Sequence, residues 1–128
     1  VLQPPGHHLP VHAVCVHLGL QESHRQHQLR RVCDLVNSFP ANEAVVLAGD
    51  FNDWRNRAHD ILHREAGLQE VFVQAFGRAV RTFPAAMPLL ALDRIYVRNA
   101  TVHSPLALPK KPWDKLSDHA PLAAEILL

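Results

Sequence analysis

The sequence predicts a layered α/β fold. Three observations carry this: short apolar runs rich in β-branched residues recur along the chain, a stretch with apolar residues at helical spacing separates the first two, and the later part is mostly strand-like. Strand, helix, strand, helix and then strands is the order of a sheet covered by helices.

The elements follow in order. Leu9–Leu18 reads as a buried strand, with Val11, Val14 and Val16 β-branched and Ala13 and Cys15 small. Glu22–Asn37 reads as an amphipathic helix, because Leu29, Val32, Cys33 and Val36 fall at i, i+3, i+4 and i+7. Glu22 is a favourable first-turn acid, and Arg25, Arg30 and Arg31 lie on the solvated part of the circumference. Ala44–Ala48 is a continuous apolar run before Gly49, the pattern of a strand covered on both faces. A short helix is expected over Arg57–Ala66, stopped by Gly67. Leu68–Thr82 reads as one irregular strand. Leu92–Val97, Thr101–Ala107 and Pro121–Leu127 complete the strands, and Lys110–Lys115 is a basic loop.

Composition sets bounds on function. The chain has 128 residues, 48% hydrophobic and 20% charged, an ordinary globular balance and one domain's worth of chain. A chain of this length buries roughly 65–70% of its unfolded surface, so a true core is available. The net charge of +1 and pI near 8.1 demand no polyanion, so any basic surface is local. Ten histidines invite a zinc reading, but His7 and His8 are adjacent, and His24 and His27 lack cysteine or carboxylate partners at zinc spacing. Cys15 and Cys33, the only cysteines, read as small buried hydrophobes in a reducing compartment. Val1–Pro10 holds three prolines and two histidines and no apolar signal-peptide core, and no run approaches ~18 apolar residues. A cytoplasmic location is expected. The chain does not begin with Met, so the expectation is that it starts inside a longer protein.

Four short motifs carry chemistry. Gly49-Asp50-Phe51-Asn52 ends the buried strand, where ligands of α/β proteins collect, though turn chemistry explains the same residues. Ser117-Asp118-His119-Ala120-Pro121 pairs an oxygen ligand for a hard cation with an imidazole for a phosphate oxygen, or makes a turn into the last strand. In Leu92-Asp93-Arg94-Ile95-Tyr96-Val97 an acid opens an apolar strand, which is costly unless the acid is paired with Arg94, a backbone cap or a histidine. His17 ends the first strand and on its own reads as structural.

In chain order, His17-Leu18, Gly49–Asn52, Leu92–Val97 and then Ser117–Pro121, the four motifs resemble the C-terminal half of the endonuclease/exonuclease/phosphatase (DNase I-like) superfamily, from about Val11 to Leu127; Thr82-Phe83-Pro84 is similar to a loop of bacterial members. The resemblance implies half of a four-layer α/β/β/α sandwich, with one mixed, mostly antiparallel sheet covered by about two helices over residues 1–128. It implies a metal-dependent phosphoesterase. Asp50 would activate the attacking water and Asn52 would position water, phosphate or metal. Asp118, with Asp50 and Asn52, would bind Mg²⁺ or Mn²⁺, His119 would contact the scissile phosphate, Asp93 would orient His119, and His17 would contact phosphate or the leaving group. The family's principal ligand glutamate has no counterpart here, since Gln21-Glu22 lies after the His17 motif. The chain alone is therefore expected to be nearly inactive, to need the N-terminal half of its domain as partner, and to self-associate through an exposed apolar face. Nucleic acid, a phospholipid headgroup and small phosphates compete as substrate. Trp54, Lys110, Lys111 and Trp113 are candidate substrate-loop residues. The alternative function is a non-catalytic binding or scaffold module that kept the fold.

Overall fold

The computed structural model describes residues 1–106 and 108–128. Strand β1 (Val11–His17) leads through helix α1 (Glu22–Ser38) to β2 (Ala44–Asp50). Helix α2 (Ala58–Ala66), β3 (Gln69–Glu70), α3 (Val71–Phe76), β4 (Asp93–Arg98), β5 (Thr101–Leu106), a 3₁₀ turn (Trp113–Lys115) and β6 (Ala123–Leu127) follow. Four strands form a mixed sheet in the order β1-β2-β4-β3, with β1 and β2 parallel and the other pairs antiparallel. The parallel pair requires a crossover, which α1 supplies. The last two strands form a separate antiparallel ladder, β5-β6. Among the described residues no helix is long and apolar enough to cross a membrane.

Period-two alternation sorts the side chains into two cores. Val45 and Leu47 of β2 and Tyr96 of β4 meet Leu29, Cys33 and Val36 of α1 and Leu62 and Ala66 of α2. Val97, on the opposite face, meets Val71 and Phe72 of α3, with Val46, Ile95, Val102, Leu122, Ala124 and Ile126 around them. The order is thus helices, sheet, then the β5-β6 ladder with α3. The predicted α/β layering holds, with a third helix and with its last two strands in their own ladder.

Several expectations are corrected. The run Ala44–Ala48 is fully covered on one face only: Val45 and Leu47 are buried, while Val46 and Ala48 are half-buried. Cys15 is exposed, because Val14 and Val16 take the helix-facing positions of β1 and turn Cys15 the other way. Cys33 is buried as expected, and burial, with the Glu65 and Asp34 charges, pushes its thiol up to about 11. Arg25 is not solvated. It is buried, and its Nη1 donates to Gly19 O (3.1 Å) and Leu20 O while Nη2 pairs with Glu22, fastening the loop after β1 to α1. Leu68–Thr82 holds the two-residue β3 and helix α3 rather than one strand. The β-branched and aromatic run of α3 has strand propensity, but Glu70 caps it by accepting from Val73 N (2.6 Å), Gly77 ends it at φ 75°, and Val71 and Phe72 are buried by tertiary packing. The expected end of β5, Ala107, lies outside the described residues. Gly67 ends α2 as predicted, at φ 64° with its N–H on His63 O.

Candidate active site

The sheet places three candidate residues in one row. In the β1-β2 register His17 stands opposite Asp50, and in the β2-β4 register Asp50 stands opposite Asp93. Register partners share a face of the sheet, so one imidazole and two carboxylates line up across three strand ends. Gly49 makes the approach possible: at φ 144°, a Cβ there would lie 1.9 Å from Val16 O. The strand ends are tied by Leu18 N to Asp50 O (2.8 Å) and Phe51 N to Leu92 O (2.8 Å).

The turn after β2 is built on the side chains of its own polar residues. Asp50 Oδ1 accepts from Asn52 N (2.9 Å), and Asn52, at φ 47°, donates from Nδ2 to Leu18 O (2.7 Å). Asp53 is buried and starts α2 by accepting from Arg57 N (2.9 Å) and Ala58 N (2.7 Å). It lies four residues before the N-cap position Arg57, outside the usual N-cap spacing, so its role is set by the fold of the turn.

His119 arrives from the β5-β6 connection. Its Nδ1, in the protonated tautomer, donates to Asp93 Oδ2 (2.7 Å), while Nε2 lies 3.9 Å from Asp50 Oδ2. His17 Nε2 lies 3.5 Å from the same Asp50 oxygen and its side chain is 79% exposed. Burial works to lower the His119 pKa, but the Asp93 hydrogen bond and the Asp93, Asp50 and Asp118 charges outweigh it, so the value is raised and the cation favoured. Asp93 therefore pairs with histidine rather than with Arg94, whose side chain leaves the opposite face of β4 and is buried beside Asn56.

Thr82 was missed as a site residue. It is fully buried, its Oγ1 donates to Asp93 Oδ2 (2.5 Å), and its carbonyl accepts from Ala120 N (2.7 Å), so it holds Asp93 and the His119 loop together. Spacing gave no signal, because the contact spans eleven residues across a loop.

One ligand atom each from Asp50, Asp93 and His119 lie within 4.8 Å of one another. The remaining candidates stand apart. Asp118 is exposed, with its side chain accepting from Ser117 Oγ (3.4 Å) and its carbonyl from Ala85 N (2.8 Å). Trp54 is 53% exposed with the Arg55 guanidinium 4.5 Å over its ring. Lys110 and Trp113 line an apolar cavity of about 580 Å³ with Phe72, Met87 and Leu122, and Lys111 is exposed beside them.

A mixed sheet under helices, with a second ladder behind it and Asp50, Asp93 and His119 at the strand ends, is the DNase I-like arrangement. The model of the Endonuclease/Exonuclease/phosphatase family matches residues 9–119, and the chain belongs to that family. It is 55% identical over 125 residues to the uncharacterized protein YbhP of Escherichia coli K12, covering 98% of this chain and 49% of that protein. The chain thus spans about half the length of the curated relatives it matches. Among solved structures it is similar to a functionally unknown conserved protein of Enterococcus faecalis V583 (TM-score 0.77, 23% identity, 95% of this chain and 52% of that one). It is also similar to D. rerio TDP2 complexed with single strand DNA product (TM-score 0.71, 20% identity, 94% and 56%).

Proposed function

We propose that the chain carries the water-activating and phosphate-contacting part of a metal-dependent phosphoester hydrolase. The observation behind this reading is the Asp50, Asp93 and His119 group, within 4.8 Å in its ligand atoms. Asp50 Oδ2, between the two imidazoles, accepts the proton of the attacking water. His119, held through Nδ1 by Asp93, offers Nε2 to a non-bridging phosphate oxygen and stabilises the charge that grows there. His17, mostly exposed at the end of β1, contacts the phosphate or the leaving oxygen.

Asp50 and Asn52, with Asp118 from the loop before β6, would be the oxygen donors for Mg²⁺ or Mn²⁺, a set that fits these hard ions in type; Asp118 lies outside the Asp50, Asp93 and His119 group. When bound, the cation supplies charge neutralisation at the phosphate. Asp93 Oδ2 accepts from both His119 and Thr82, which supports an orienting role for Asp93.

Of the substrates expected, the likeness to TDP2 solved with single strand DNA product supports nucleic acid. The test is hydrolysis of a chromogenic phosphodiester with Mg²⁺, Mn²⁺ or chelator. It is run on the chain alone and on the chain joined to the part of the 55% identical relative that it does not span. The joined protein is expected to turn over, chelator to stop it, and Asp50→Ala to cost about 10²–10⁴-fold. Turnover that survives Asp50→Ala would overturn the assignment.

A further inference from the structure

A cleft of about 960 Å³ is lined by Arg78, Arg81 and Arg94 together with Trp54, and by no acidic residue. The whole chain carries a formal net charge of only +1, so three cations on one wall are a local concentration that the composition does not require. The cleft adjoins the chemistry through the chain itself. Trp54 follows Asp50 and Asn52 in one turn, Arg81 precedes the Thr82 that holds Asp93, and Ala91, also in the lining, is two residues before Asp93.

Arg94 is its most informative member. It is 3% exposed, and its Nε and Nη1 donate to two neutral acceptors, Ala91 O and Asn56 Oδ1, each at 3.1 Å. Among the described residues no carboxylate lies within 4.0 Å of it. Glu70 feels its charge at longer range, but Glu70 is itself buried, and that burial disfavours the carboxylate. A buried guanidinium without an anion is costly, and its fork of donors matches phosphate. Arg78 and Arg81 are exposed, without ion pair or side-chain hydrogen bond among the described residues. Trp54 adds a half-exposed aromatic surface.

We propose that this cleft is a subsite for an unpaired nucleotide flanking the scissile phosphate of a single-stranded nucleic acid, with Trp54 stacking on the base and Arg78, Arg81 and Arg94 holding the neighbouring phosphate. Cationic grooves combined with an aromatic stacking face are how proteins hold single strands; a small phosphate would use the arginines and leave the tryptophan idle. The inference rests on the phosphoester-hydrolase reading and narrows its substrate class.

The experiment is binding of a short fluorescein-labelled oligothymidylate to the full chain, followed by anisotropy in chelator over a salt series. Chelator keeps the readout blind to hydrolysis, so failure here leaves the hydrolase reading standing, and failure of the hydrolysis test leaves this result standing. Affinity is expected to fall with salt, by about 0.7 in log–log slope per phosphate engaged. The Arg78→Ala/Arg81→Ala pair should weaken binding about 10-fold or more and flatten the slope by about 1. Trp54→Ala should weaken it about 10-fold at unchanged slope. All three side chains are exposed, so the variants keep the fold; Arg94→Lys adds a charge-conserving change that loses the fork. Absent oligonucleotide binding, or binding indifferent to these substitutions, overturns the subsite. Equal capture by phosphatidylglycerol vesicles, lost in the same variants, would reassign the cleft to an anionic membrane surface.

Discussion

Thr82 Oγ1 donates to Asp93 Oδ2 at 2.5 Å, on the same oxygen that receives His119 Nδ1 at 2.7 Å. The carboxylate is thus fixed from both sides, and the imidazole inherits an orientation set by a threonine from a different loop. Thr82→Val keeps the shape and removes the donor. It is expected to cost about 1–3 kcal/mol, and Thr82→Ser to restore most of it, as read by urea denaturation.

His119 reports on the same arrangement through its titration. Burial lowers its pKa, and Asp93, with the Asp50 and Asp118 charges, reverses that, so Asp93→Asn is expected to bring the value down. NMR titration of the ring protons reads the change. The sign for stability follows from the raised folded value. The contribution is fully present below about 6.5 and is lost as pH rises through the folded pKa. In Asp93→Asn that window should narrow. A wild-type-like titration in the variant would show that Asp93 does not set the charge.

The two cysteines should separate cleanly by maleimide labelling at neutral pH. Cys15 is exposed and should react in the native state, whereas Cys33, buried with its thiol pushed up to about 11, should react only in denaturant. Mass spectrometry of the labelled peptides identifies which thiol was modified.

Gly49 tolerates nothing larger. A methyl group 1.9 Å from Val16 O forces the β1-β2 pair apart at the active-site end, so Gly49→Ala is expected to destabilise by more than about 4 kcal/mol. The Gly67 position, where the nearest atom is 3.8 Å away on a side chain, should accept alanine at a far smaller cost. Thermal denaturation of the two variants gives the comparison.

Arg25→Ala strips the Gly19 and Leu20 carbonyls and the Glu22 carboxylate of their donor. A loss of about 1–3 kcal/mol is expected, with faster amide exchange in the loop between β1 and α1. An effect below a few tenths would mean that water replaces the guanidinium there.

Much of this architecture was legible because it repeats locally. The Leu29, Cys33, Val36 stripe fixed α1, the αL glycine at 67 fixed the end of α2, and the apolar runs located β1, β2 and β4. What escaped were relations that depend on register and loop closure. That His17, Asp50 and Asp93 stand side by side follows from strand pairing, which no window of residues reveals. Arg25 was read as solvated because a helix pattern says nothing of the carbonyls of the preceding loop. The helix over Val71–Phe76 was hidden by side chains that favour strands and was decided by burial and by the Glu70 cap. Motif order pointed to the family and to the residues that meet at the candidate site, whereas Thr82, noted only within a loop of family likeness, shows its contact with Asp93 only in three dimensions.

The β5-β6 ladder has one more consequence. Asp50 and Asp93 sit on strands hydrogen-bonded within a four-stranded sheet, whereas His119 hangs from the connection inside a two-stranded ladder. Such a ladder has little stability of its own, and local opening follows the weakest cooperative unit. The three groups are therefore expected to differ in lifetime: the carboxylates persist for as long as the sheet is folded, while the imidazole, held besides by Asp93 and through Ala120 N by Thr82, is expected to be withdrawn when the ladder opens. In exchange experiments β6 amides should lose protection before those of β2, and whatever lengthens the ladder's closed interval also lengthens the interval in which the candidate site is whole.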